Sequence, residues 1–238
     1  MPYFYGIDSS YLILVLPCIL LSLWASANVN STFKKYSRQF SSRRITGAEA
    51  ALRVLHANGI TNIRIDRING NLTDHFDPTS NVIRLSDGVY DNTSTAAIGV
   101  ACHEAGHAVQ YADGYYPIKL RAAIIPVTNF GSRLAMPLII IGLLLSAFAS
   151  VSNFLVYLGI ACFSLSLIFQ LITLPVEFNA SRRALQAIDS GELLTSDERR
   201  GAKATLTAAT LTYVAATAVA FAQLARLLVL FGGRRRRD

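Results

Sequence analysis

Charged side chains are scarce in this chain: Asp, Glu, Lys and Arg make up 16% of its 238 residues, where a soluble domain carries roughly a quarter. Apolar residues reach 52% and the mean hydropathy is +0.39, well above the balance of a soluble domain. Cysteine is also rare, with three residues at 18, 102 and 162. An odd count without pairing partners excludes a disulfide framework and suits a site in the cytoplasm. There is no internal repeat, no glycine-rich phosphate loop and no nucleic-acid motif. The net charge of +7 is therefore assigned to the inner face of a membrane and not to DNA. No Lys or Arg precedes the first apolar stretch. Although Ala25-Ser26-Ala27 looks like a cleavage site, that lack favours a retained anchor over a removed signal peptide.

What the chain has in abundance is blocks of apolar residues, at Tyr11 to Ala27, Leu134 to Ser150, Phe154 to Leu174 and Ala204 to Phe231. Each approaches or exceeds the roughly 20 residues that cross a bilayer core as a helix. The second and third are separated only by Val151-Ser152-Asn153 and read as a tight transmembrane hairpin. The fourth carries Gln223 and Arg226 and is the weakest span. Lys34, Lys35, Arg38, Arg43 and Arg44 follow the first block, and Arg182, Arg183, Arg199, Arg200 and Lys203 follow the third. A hairpin returns the chain to the same side, so both basic regions can be cytoplasmic. The basic run Arg234 to Arg237 disagrees if the last block spans; the alternatives are a block that lies in the interface or packs on the bundle with its tail on anionic headgroups, or a tail that is a disordered solubilising end.

The sharpest feature is His103-Glu104-Ala105-Gly106-His107. Two histidines four apart on a helix project from one face, so both imidazoles can reach one metal ion. Glu104 then sits where it can take a proton from a metal-bound water. Asp91-Asn92-Thr93-Ser94 offers N-cap residues for a helix from Thr95 to Tyr111, ended by Asp113-Gly114. Two core histidines with satisfied hydrogen bonds are the bland alternative, and Glu104 between them speaks against it, because a carboxylate is rarely buried without a partner. Cys102 points away from the histidine face.

Around the motif the polar region, residues 29–133, reads as a small α+β domain. Thr46-Gly47-Ala48-Glu49 has capping-box spacing and opens a helix through Ala57 that Gly59 closes. Ile63, Ile65 and Ile68, then Val82, Ile83 and Leu85, form short β-prone runs on either side of Asn69-Gly70 and Asp77-Pro78 turn signals. Such strands would offer an edge to an extended peptide, or form an ordinary structural hairpin. A catalytic zinc needs a third protein ligand and an open position. Glu177, at the end of the third apolar block, is the candidate; pairing with Arg182 or Arg183 is its alternative reading. His75, Asp74, Asp77 and Asp113 are weaker rivals for the same role.

Three stretches in order carry a resemblance over nearly the whole chain. They are His103 to Gln110; Leu72-Thr73-Asp74-His75-Phe76-Asp77-Pro78 with Arg84-Leu85-Ser86-Asp87-Gly88-Val89-Tyr90; and Leu174-Pro175-Val176-Glu177-Phe178-Asn179-Ala180-Ser181. Together they resemble the YugP-type membrane zinc metallopeptidases, and more distantly the HtpX and CAAX-prenyl-protease group. That group usually has Asp four residues after its ligand Glu, whereas Ser181 stands there in this chain, which leaves open what supports the ligands. The resemblance implies Zn2+ held by His103, His107 and Glu177, with peptide hydrolysis as the reaction. The zinc would bring its water toward a pKa of about 7 and polarise the scissile carbonyl. Glu104 would act as general base and pass the proton to the leaving amine. Tyr115, Tyr116 or His75 would help the oxyanion.

The expected fold is a membrane α+β protein. A bundle of about four transmembrane helices carries a small cytoplasmic zincin-like domain, which holds the H-E-x-x-H helix and a short β-sheet. Its parts are an anchor at 1–28, the metallopeptidase region at 29–133, a transmembrane hairpin at 134–175, a cytoplasmic segment with the third ligand at 176–203, and an apolar helix with a basic tail at 204–238. The expected partners are a peptide or membrane-protein substrate and the lipid bilayer of a prokaryotic inner membrane, with the site on the cytoplasmic side. An intramembrane protease needs a ligand Asp in another span, which the sequence does not offer. The non-enzymatic alternative is a membrane scaffold or chaperone with a structural zinc, which should be closed by a fourth side chain.

Overall fold

The computed structural model describes residues 8–232; the basic run Arg234 to Arg237 lies outside them. The protein is mostly helical, with six α-helices and three short strands among the described residues. Helix α1 (Leu16–Tyr36) follows a π-helical turn (Tyr11–Val15), and α2 (Gly47–Ala57) leads to β1 (Arg64–Ile68), β2 (His75–Asp77) and β3 (Val82–Ser86). Helices α3 (Thr95–Ala112), α4 (Tyr116–Leu144), α5 (Ala149–Ser190) and α6 (Ser196–Gly232) complete the chain. Four helical segments are long and apolar enough to cross a membrane: Tyr11–Tyr36, α4, α5 and α6. Leu20, Leu23, Trp24, Phe130 and Phe154 on three of them are exposed, as lipid-facing positions are.

The contacts divide the chain into two units. Among the described residues, the first comprises 8–24, 120–174 and 213–232. Its α4–α5 connection is displaced from the expected Val151-Ser152-Asn153: the helices break at Leu145 to Phe148, and Ser152 N–H donates to Phe148 O within the next turn. The physical reason is packing. A Cβ on Gly142 would stand 2.9 Å from Ser152 O, so the small polar residues serve close helix approach in place of a turn. Arg226, which weakened the fourth block on sequence grounds, reaches Asp8 at 3.3 Å and lies over the Tyr11 ring at 5.3 Å. Tyr157 donates to Phe231 O, so the π-helical turn and the first part of α5 both meet the last part of α6 in this unit.

The second unit comprises residues 25–119 and 175–212. Thr46 caps α2 with the full capping box, its side chain accepting from Glu49 N–H while the Glu49 carboxylate accepts from Thr46 N–H. The sheet order is β1-β3-β2, which corrects the simple hairpin. β1 pairs with β3 in parallel, Ile65 opposite Ile83, and it is β2 that pairs antiparallel with β3, His75 opposite Arg84. A parallel pair needs a crossover of about a dozen residues, and here the crossover contains β2. The Asp77-Pro78 turn makes the hairpin: Asp77 accepts from Thr79 and Ser80 N–H and from Arg84. Ile83 and Leu85 of β3 pack with Leu55 of α2 and Ile98 of α3 in a core of fully buried side chains.

Helix α5 does not end near Glu177 as the sequence suggests; it runs through Pro175 to Ser190. Val176, Ala180, Ala184 and Ile188 are wholly buried, an i, i+4 stripe that keeps this half helical because it has a core to pack into.

Candidate metal centre

Helix α3 starts where local chemistry dictates. Ser94 accepts from Ala97 N–H, and Gly114 past its C-cap takes φ +68°. Small residues line its buried sides, and Gly106 lets α5 approach so closely that a Cβ there would lie 2.9 Å from Ala180 O. That contact brings Glu177, one turn before Ala180, against the histidine face.

His103 Nε2 lies 3.3 Å from Glu177 Oε2, and His107 Nε2 lies 3.5 Å from the same oxygen. The imidazole rings are 4.7 Å apart and nearly perpendicular, at 82°. One donor atom from each of the three residues fits within 4.8 Å of the others. Ligands on a tetrahedral ion at about 2.0–2.1 Å sit roughly 3.3–3.4 Å from one another, so the spacing and the mixed N,N,O donor set fit a zinc ion. Glu177 is 1% exposed and His107 8%. Burial opposes protonation of His107, but the Glu177 and Glu104 carboxylates outweigh it and hold its pKa above the ordinary range.

Glu104 is nearly buried, and among the described residues its carboxylate has no hydrogen-bond partner. Its charge is felt by Asp74. Burial pushes the Asp74 carboxyl up and Glu104 adds to that, while Ser86 N–H and Oγ–H donate to it and pull the other way. Cys102 points into the core, and burial pushes its thiol up to about 12.

The rivals for the third position are committed elsewhere. Asp113 pairs with Arg183 at 2.6 Å, Asp74 with Ser86, and Asp77 with Arg84 and its own turn. His75 is on β2, with Nδ1 2.8 Å from Thr73 O and Nε2 3.4 Å from Arg84. Of the two arginines that competed for Glu177, Arg183 turns instead to Asp113 and Asn179. Tyr116 is largely exposed.

Several neighbours went unassigned at the sequence level. The Gln110 side chain meets His107 Nδ1 at 3.0 Å and donates from Nε2 to Val176 O and Asn179 Oδ1. Its signal was available: 103, 107 and 110 share one helical face, and an amide between Val109 and Tyr111 needs partners. Ser181, at the position where the resembling group has Asp, lies 3.2 Å from His103 Nδ1 and 3.3 Å from Thr210 Oγ1.

Residues 11–232 match the family described as "Putative neutral zinc metallopeptidase". The chain belongs to that family. It is also 45% identical over 221 residues to "Putative membrane protease YugP" of Bacillus subtilis (strain 168), an alignment covering 93% of this chain and 96% of the relative. No solved structure matches it. Family and relative together indicate a zinc protease set in a lipid bilayer, in agreement with the four apolar helices and the His/Glu group.

Proposed function

We propose that this chain is a membrane-embedded zinc-dependent endopeptidase, with His103, His107 and Glu177 holding the metal in a zincin-like domain and Glu104 as general base. The observation that carries the reading is the convergence of three donor atoms within 4.8 Å, contributed by two helices far apart in sequence. The set numbers three, which leaves a position for water and substrate, where a structural zinc would be closed by four. A bound zinc would supply Lewis-acid polarisation of the scissile carbonyl and acidify the attacking water. The chain's own residues do the rest. Glu104, adjacent to a ligand and with no hydrogen-bond partner among the described residues, takes the proton from that water and returns it to the leaving amine. His107 and Glu177 are buried and His103 is partly buried, and this shielding from bulk water strengthens their hold on a cation.

The basic residues that follow the first span and those around Arg182 and Arg199 belong to the same unit as the site, which supports a cytoplasmic active site under a prokaryotic inner membrane. Peptides and membrane-protein segments are the substrate class. The test compares cleavage of casein, and self-cleavage, by the detergent-solubilised protein and its Glu104→Gln variant at equal zinc content. Loss of a general base should slow hydrolysis about 10²–10⁴-fold with zinc retained. Equal rates from the two proteins would remove Glu104 from the mechanism.

A further inference from the structure

Each histidine of the site continues, on the side away from Glu177, into a chain of hydrogen bonds whose directions follow from counting donors. Thr210 Oγ–H donates to Leu206 O at 2.8 Å, so its single proton is committed. Ser181, 3.3 Å from Thr210 Oγ1, must then donate to Thr210. Having spent its one proton there, Ser181 Oγ receives from His103 Nδ1 at 3.2 Å. On the other histidine, Gln110 Nε2 faces two acceptors, Val176 O at 2.8 Å and Asn179 Oδ1 at 2.9 Å. The Asn179 oxygen is fixed in turn by Arg183 Nε, which can only donate. That sets the Gln110 amide, and its Oε1, 3.0 Å from His107 Nδ1, accepts.

We infer that Ser181–Thr210 and Gln110–Asn179 act as positioning residues that favour the Nδ1–H tautomers of His103 and His107, leaving each Nε2 lone pair for a metal shared with Glu177. This rests on the reading of His103, His107 and Glu177 as a metal site. Neutral imidazole can carry its proton on either nitrogen, and which nitrogen is left for a metal is set by the bond the other makes. Both chains end on backbone carbonyls of helices, Leu206 O in α6 and Val176 O in α5. The tautomers are thereby tied to main-chain positions and not to mobile side chains.

The experiment measures zinc affinity of the full-length detergent-solubilised protein by competition with a chromogenic chelator, alongside the melting temperature of the zinc-free form. Removing the partner of a ligating histidine costs about 10–100-fold in metal affinity, so Gln110→Leu and Ser181→Ala should fall in that range. Thr210→Val is the decisive variant. It touches no ligand, but frees the Ser181 hydroxyl to donate to His103 Nδ1; affinity should drop about tenfold, the lower end of that range. Thr210→Ser should restore it, with the zinc-free melting temperature unmoved by either change. ¹⁵N spectra of the zinc-loaded, histidine-labelled protein, which has four histidines, should show metal on Nε2 and protonated Nδ1 at both sites. Native zinc affinity in Thr210→Val and Gln110→Leu, or metal on an Nδ1, overturns the proposal while leaving the metal site standing. If the native protein binds zinc no better than His103→Ala, the site itself fails and the proposal with it.

Discussion

Replacing Gly106 by alanine puts a methyl group into the contact that sets the distance between α3 and α5. The new Cβ would lie 2.9 Å from Ala180 O, and ordinary contact begins at 3.4 Å, so the helices must separate locally by about 0.5 Å. Two energies compete. Alanine in a helix interior is favoured over glycine by roughly 0.5–1 kcal/mol, while overpacking a buried contact costs about 1–3 kcal/mol. The net expectation is a loss of about 0–2.5 kcal/mol in the zinc-free protein. The larger effect falls on the metal. Ala180 lies between Glu177 and Ser181, so the displacement moves the carboxylate ligand and the His103 partner together. Functional constellations tolerate about 0.5 Å, and a tenfold loss of zinc affinity, about 1.4 kcal/mol, is expected. Gly99→Ala is the control, since its Cβ would meet Ala202 at 3.2 Å, leaving little to move. Chelator competition and thermal melting of the zinc-free forms give both quantities. A Gly106→Ala protein that binds zinc as tightly as native and melts higher would refute the claim that this contact places Glu177.

Two further outcomes concern the frame around the site. Glu198, buried at the start of α6, accepts from Ser42 N–H at 2.7 Å, Thr195 N–H at 2.9 Å and the Ser42 hydroxyl. Glu198→Ala strands these donors and should cost about 1–3 kcal/mol by denaturant titration; an unchanged midpoint would show that water replaces it freely. The Ser80 hydroxyl and then the Arg84 guanidinium hold the Asp77 carboxyl well below the usual carboxylate range. A depressed folded-state pKa means stability that is fully present above the ordinary Asp value and lost as pH falls below about 4. Asp77→Asn should flatten that part of the acid limb of the melting curve, and a limb of unchanged slope would deny the turn this role.

The parts legible in the sequence are those fixed by local chemistry. Ser94 and Asp113-Gly114 bound α3 through cap and left-handed backbone, and Thr46 with Glu49 bounds α2, because each signal acts within a turn of the residue carrying it. The histidine pair was legible for the same reason. Glu177 was singled out among several carboxylates, and the structure sets it beside both imidazoles, while its rivals occupy a turn, a strand contact and an arginine. Strand order was not legible: whether Ile63–Ile68 pairs parallel or antiparallel with Val82–Leu85 depends on where the intervening chain goes, and β2 lay hidden in Thr73 to Asp77. The α4–α5 turn was misplaced because Ser152 and Asn153 look like breakers until Gly142 is seen opposite. Thr210 gave no signal at all, being one threonine among many in an alanine-rich helix, significant only through a contact 29 positions away.

Charge explains why hydroxyl and amide partners suit this site. A zinc dication, the Glu177 ligand and Glu104 sum to neutrality, and buried charge is tolerated best when it is balanced. A carboxylate at position 181, as the resembling group has, would add a third negative group to a buried cluster in which the Asp74 carboxyl is already held high, in part by the charge of Glu104. Without metal, that cluster holds the Asp74, Glu177 and Glu104 carboxyls beside two imidazoles, and an extra anion would raise the cost of folding the zinc-free protein. Ser181 and Gln110 orient the same imidazoles through dipoles, each anchored on a main-chain carbonyl. What they give up is the additional basicity that a carboxylate confers on a ligating histidine. The chain thus orients these imidazoles by geometry where an Asp at position 181 would do so by charge, and the closeness of α3 to α5 at Gly106 is what makes geometry sufficient.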